Sequence, residues 1–145
     1  MPLGFAVVAI DLSAPFVQPT KQRVPAADVR KMDMRHLEFP AGTFDGVWCC
    51  FSLLHFREEE IGAALSGFKS VLKPWRASFL CPAPRAANRV VKAIISGMER
   101  EIYVQEWDQK DIEAIVRKAG FGIIQSRPFL RERGRFPVLS LLMHT

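Results

Sequence analysis

Phe44-Asp45-Gly46-Val47-Trp48-Cys49-Cys50-Phe51-Ser52-Leu53-Leu54-His55-Phe56 is the stretch that decides the fold. An acidic start leads into a short apolar run, and His55 stands just before Glu58-Glu59-Glu60. An apolar run of this length, rich in Val, Trp and Phe, predicts a strand buried on both faces near the middle of a parallel sheet. In open α/β sheets, ligands bind just past the carboxyl ends of such strands. Chemistry is therefore expected between Cys50 and His55.

Before this stretch, residues 5–10 read as an apolar strand ended by Asp11, and Pro15 breaks the ladder. Residues 16–27 hold at most a short irregular helix, and residues 29–34 form a second short strand. After it, Ile61, Ala64, Leu65, Phe68, Val71 and Leu72 follow helical spacing behind the three glutamates, whose charge suits a positive helix end. Residues 77–81 predict another strand. Val90, Val91, Ile94, Ile95, Met98 and Ile102 predict an amphipathic helix, weakened by Gly97. Asp108 is the expected N-cap of a further helix, with Trp107 and Ile112 at its staple positions and Gly120 as its stop. Residues 121–125 and 136–143 predict two last strands, joined through an Arg-rich hairpin turn at 131–135. Strands alternating with helices imply an α/β fold with a mostly parallel sheet, and the hairpin adds an antiparallel strand at one edge.

The 145 residues suffice for one domain with one core, expected to span 1–145. The net charge of +5 lies wholly in residues 116–145, where Arg117, Lys118, Arg127, Arg131, Arg133 and Arg135 face Glu132 alone. Such a patch suits a solvated hairpin tip, or contact with phosphates. Cys49, Cys50 and Cys81 have neither disulfide-framework nor zinc spacing, so no metal site is expected and a reducing, cytoplasmic setting is. The longest uncharged apolar stretch, 46–56, is too short to span a bilayer, and the N-terminus lacks signal-peptide character.

Taken together, four phrases resemble a class I S-adenosylmethionine-dependent methyltransferase. They are Val7-Val8-Ala9-Ile10-Asp11-Leu12-Ser13, then Met32-Asp33-Met34 with Leu37, Phe39 and Pro40, then the stretch from Thr43 to His55, then Val71-Leu72-Lys73-Pro74. Ala119-Gly120-Phe121 is also typical. The resemblance implies a Rossmann-like methyltransferase sheet and S-adenosyl-L-methionine as cofactor. It also implies roles. Asp11, with Leu12, accepts the ribose hydroxyls; Asp33 accepts from the adenine amino group beside Met34; Cys50 and Phe51 face the methionine part. Each has a plainer alternative: Asp11 and Asp33 as turn formers, Cys50 and Phe51 as core. His55 is the one candidate catalytic base in this region, or else a helix-entrance residue bonded to backbone. A Cys50–His55 nucleophile pair lacks the glycine pattern of an oxyanion hole.

Two departures shape the functional expectation. The family's glycine-rich loop, G-x-G-x-G in form, and the first strand and helix around it have no counterpart in residues 1–145, so the domain is expected to be incomplete. In the family that strand lies between residues 5–10 and 47–51, so either a gap or direct pairing of these two is expected. Trp75-Arg76 also replaces two glycines. Three readings follow. One is methyl transfer to a small-molecule or RNA acceptor, impaired or absent in this chain alone. The second is a non-catalytic remnant that binds a protein partner completing the sheet. The third is nucleic-acid binding through residues 127–135. Acceptor choice is expected to rest on residues 85–107.

Overall fold

A computed structural model of the chain describes residues 4–81, 89–95, 98–105, 107–130 and 137–145. The element order is β1 (Val8–Asp11), α1 (Ala14–Arg23), β2 (Asp28–Lys31), β3 (Phe44–Cys50), a 3-10 turn (Leu53–His55), α2 (Glu58–Val71), β4 (Leu72–Cys81), β5 (Arg89–Ile95), β6 (Met98–Val104), α3 (Gln109–Lys118), β7 (Gly122–Leu130) and β8 (Pro137–His144). The expected α/β architecture is present, with residues 131–135 of the final hairpin outside the described residues.

Strands group as β1-β2, β3-β4-β8-β7 and β5-β6. β1 runs parallel to β2, and β3 runs parallel to β4. β8 is antiparallel to both β4 and β7. The antiparallel strand therefore lies inside the sheet, not at its edge; β7, reached through the hairpin, is outermost. Among the described residues no ladder joins β1 to β3, so of the two expected outcomes for these strands direct pairing is not found.

The core lies under the four-stranded sheet. Ile61, Leu65 and Phe68 of α2, with Ile112 and Val116 of α3, meet Leu80, Leu141 and Met143 of the two inner strands. These helices form where expected. Glu58, Glu59 and Glu60 fill the first turn of α2, and Asp108 caps α3 by accepting from the Lys110 amide. Gly120 takes φ +82° just past α3, a conformation that glycine adopts without strain. Helix α1 carries Pro15 in its first turn and Pro19 inside, and only Val17 is buried, which explains its faint sequence signal.

Two expectations are overturned. The described residues of 90–102 are antiparallel strands, not a helix: Arg89–Ile95 pair with Met98–Val104, from Arg89 with Val104 to Ile95 with Met98. The run Val90, Val91, Ile94, Ile95 and Ile102 is β-branched, and Gly97 that weakened the helix is a hairpin-turn signal. Nor is β3 buried on both faces. It ends its sheet, and pleating sends Cys49 into the core while Trp48, 72% exposed, stacks on Phe79 at 4.1 Å on the other face.

The β3–β4 register breaks between Phe44–Leu72 and Gly46–Ala77, so regular pairing starts at Ala77 as expected. In the looped-out part Trp75 takes φ +61°, the left-handed conformation of a glycine, with its ring 83% exposed. A non-glycine residue there costs on the order of 1–3 kcal/mol, against about 0.5–1 kcal/mol for glycine's greater freedom when unfolded. Trp75→Gly is expected to stabilise the fold by about 1 kcal/mol, read as a higher urea midpoint; a lower midpoint would show that the ring contributes more than the strain.

Candidate functional site

The site candidates lie past the carboxyl ends of β1, β2 and β3. Asp11 is the exposed last residue of β1, and its Oδ1 accepts from the Ser13 amide at 2.7 Å, turning the chain into α1. Its carbonyl accepts from the Met32 amide at 3.1 Å. That bond brings the turn after β2, with Asp33 and Met34, beside Asp11. Leu12 is exposed, whereas Met34 is partly buried against the core.

Asp33 is already engaged. Its Oδ1 accepts from the Arg35 amide at 2.9 Å, and both its oxygens accept from the Arg35 guanidinium. The guanidinium hydrogen bond holds the Asp33 carboxyl below its usual range. Arg35 also donates to Glu60 and lies 5.0 Å over the Phe56 ring. Glu60 in turn accepts from the Arg57 amide at 2.9 Å, which with Arg35 lowers its pKa. Arg35 was not singled out in the sequence. The Asp33-x-Arg35 spacing signals a local pair, but the partner 25 residues on needs the fold.

At the end of β3 the chain turns sharply. Phe51 takes φ +56°, and its amide donates to the Cys81 carbonyl at 2.9 Å. Cys50 and Phe51 are half-buried. Cys49 is buried, and desolvation pushes its thiol up to about 12, so it is no nucleophile at neutral pH. In the 3-10 turn Leu53 is buried and His55 exposed. His55 Nδ1 lies 3.2 Å from the Tyr103 carbonyl oxygen, and the Gln105 amide donates to the Leu54 carbonyl at 2.7 Å. The β5-β6 hairpin is thus stitched to the His55 turn. Cys50, Phe51 and His55 share one strand-to-turn unit; Asp11 and Asp33 share another; among the described residues no ladder connects the two.

A shallow groove of about 390 Å³ lies between Arg35, His36 and Phe39 and the Ser66–Ser70 side of α2. Its guanidinium is committed to Asp33 and Glu60, so it offers little unspent charge. Among the described residues no cluster suits a metal ion, and no helix is long and apolar enough to cross a membrane.

The sequence profile of a family described as a methyltransferase domain matches residues 2–75. The chain belongs to this methyltransferase family. Its fold is that of class I S-adenosylmethionine-dependent methyltransferases, as solved structures show. A methyltransferase of this kind from Methanosarcina mazei superposes with a TM-score of 0.84 at 14% identity, over 97% of this chain and 82% of its own. The 1,6-didemethyltoxoflavin N1-methyltransferase of Burkholderia thailandensis, solved with 1,6-didemethyltoxoflavin and S-adenosylhomocysteine, gives 0.74 at 19% identity. That match covers 97% of this chain but only 61% of the enzyme. Magnesium protoporphyrin IX methyltransferase of Synechocystis, with S-adenosylmethionine bound, gives 0.68 at 22% identity, over 97% of this chain and 60% of its own. No curated protein sequence matches the chain.

The hydrogen-bond acceptors at the ends of β1 and β2 are of the type that suits the hydroxyl and amino donors of a nucleoside. An exposed carboxylate stands at the end of β1, and a second turn carrying Asp33 is tied beside it. Asp33 and Glu60, both lowered by their bonds in the Arg35 network, predict acid behaviour. A carboxyl with a depressed folded pKa adds stability above its unfolded pKa of about 4, and loses it as pH falls through the folded value. The urea midpoint should therefore fall below about pH 4, and Arg35→Gln should flatten that fall. An unchanged acid slope in the variant would show that Arg35 does not hold Asp33 and Glu60.

Proposed function

We propose that this domain holds S-adenosylmethionine by its nucleoside half at the ends of β1 and β2 and presents the acceptor at the end of β3. The observation that carries the reading is the Met32-to-Asp11 bond, which sets an exposed carboxylate beside the Asp33 turn. Asp11, beside Leu12, accepts from the ribose hydroxyls. Asp33 and Met34 line the adenine, Asp33 with lone pairs left by Arg35. Cys50 and Phe51 lie toward the methionine part, and His55 is the base for an acceptor that must lose a proton. When bound, the cofactor supplies an electrophilic methyl group; the chain's part is alignment and proton removal.

The acceptor is a small molecule in this reading. The Burkholderia enzyme with 1,6-didemethyltoxoflavin bound supports that class. An RNA acceptor is the alternative raised by the basic C-terminal surplus, but Arg117 is paired with Glu113. Three cysteines without disulfide-framework spacing support a cytosolic setting.

Residues 1–145 supply no glycine-rich cradle for the amino-acid half, so binding is expected to be weak and to come from the nucleoside. In isothermal titration, adenosine should then bind within about tenfold of S-adenosylhomocysteine. Asp11→Ala should weaken both by about tenfold or more, the worth of a hydrogen bond to a charged group. Binding that ignores Asp11→Ala would overturn the assignment.

A second reading, a non-catalytic domain working through a protein partner, is favoured by one observation. β1 and β3 each have an edge without a ladder partner among the described residues, and both are parallel to their existing neighbours. An extended segment of another polypeptide entering there would complete the sheet. No heat on titrating either nucleoside, together with capture of such a segment, would favour this second reading.

A further inference from the structure

The β5-β6 hairpin meets the 3-10 turn through two backbone-directed bonds of opposite sense. The Gln105 amide donates to the Leu54 carbonyl at 2.7 Å, and one residue on, His55 Nδ1 lies 3.2 Å from the Tyr103 carbonyl. A carbonyl oxygen only accepts, so this second bond exists only when Nδ1 carries a proton. In a neutral imidazole the other nitrogen, Nε2, is then the acceptor. The frame that imposes this state is firm on both sides. Tyr103 is held in β6 by pairing with Val90, and its hydroxyl donates to the Gln105 side-chain carbonyl. Buried Trp107 anchors the chain just beyond, and buried Leu53 anchors the turn that carries His55.

We infer that the β5-β6 hairpin is a positioning element that holds neutral His55 as its Nδ1–H tautomer, leaving Nε2 as the proton acceptor. The catalytic meaning of this rests on the methyltransferase reading above; the tautomer does not. With Nε2 open, the acceptor class is narrowed to groups that lose a proton on methylation, such as a hydroxyl or a ring N–H. As the acceptor atom bonds to the methyl carbon, the carbon–sulfur bond breaks with its electron pair going to sulfur, and the acceptor's proton passes to Nε2. Tyr103 and Gln105 are positioning residues in this scheme, acting through His55.

Two-bond proton–nitrogen NMR correlation on histidine-labelled protein without cofactor reads the tautomer directly. It is recorded about two pH units above the ordinary histidine pKa near 6.5, and His55 is assigned by its loss in His55→Gln. The expected pattern is a protonated Nδ1 and a bare Nε2 for His55. Gln105→Pro, which removes the amide bonded to Leu54, should shift His55 toward the Nε2–H form. Gln105→Ala keeps that amide but loses the bond from the Tyr103 hydroxyl, and should shift the pattern less than Gln105→Pro does. A wild-type His55 protonated on Nε2 overturns the inference. So does a wild-type pattern that persists in folded Gln105→Pro, since the hairpin would then not be what sets it. Because no cofactor is present, failure of cofactor binding leaves this outcome untouched.

Discussion

The constraint on which this structure depends is that its two parallel strand pairs share no ladder. β1-β2 and β3-β4 are each internally bonded, yet nothing bonds β1 to β3 among the described residues. Backbone hydrogen bonds, which usually register one parallel strand against the next, therefore do not set how Asp11 stands relative to His55. Side chains of the loop after β2 do that work. Met34 and Leu37 pack against the main core, with Leu37 lying over Gly67 of α2. Arg35 then reaches from Asp33 to Glu60 at the start of α2, over the Phe56 ring. A planar donor fork suits this task, since it satisfies two carboxylates at once and lies flat on an aromatic face.

The order of elements was legible because it depends on local pattern. The α2 stripe, the Asp108 cap and the apolar runs ending at Asp11 and Cys50 all mark themselves within a few residues. What the sequence concealed was non-local. Val90 to Ile102 satisfies a helical period and a strand's preference for β-branched residues at the same time, and only pairing across Gly97 decides between them. The apolar run of β3 implies burial, but burial needs neighbours, and among the described residues β3 has one bonded strand instead of two. For the candidate site, the strand-end positions of Asp11, Cys50 and Phe51 were readable because the apolar runs mark where the strands stop. Arg35 and Tyr103 were not, because their partners lie 25 and 48 residues away.

Backbone strain separates two kinds of departure from family pattern. Trp75 adopts a glycine's conformation where the family has glycines, far from the strand ends that carry the site. Its ring stacks on His144 at 6.5 Å and its amide donates to Thr145 Oγ1 at 3.0 Å, so whatever offsets the strain lies at the end of β8 and not at the site. Phe51 also has positive φ, but it sits where β3 stops, anchored by the Cys81 carbonyl. There the turn has a consequence: it swings Leu53 inward to the core and His55 outward to the hairpin. A strained residue held by its surroundings at a strand end is the kind of position where strain and site geometry coincide.

The two halves of the candidate site are consequently organised by different physics. The Asp11–Asp33 half is electrostatic: carboxylates past parallel strands, one held by Arg35 and one exposed. The Cys50–His55 half is steric and backbone-bonded: a left-handed turn, a buried leucine and a hairpin that fixes one imidazole nitrogen. In the proposed function, cofactor recognition belongs to the first and acceptor handling to the second. Segregation of this kind lets the acceptor half change by replacing a hairpin without disturbing the carboxylates. It also leaves the first half exposed to any loss of the contacts that seat β1-β2 on α2. Loosening Arg35 would thus move Asp11 relative to His55 while leaving the His55 tautomer as the hairpin sets it.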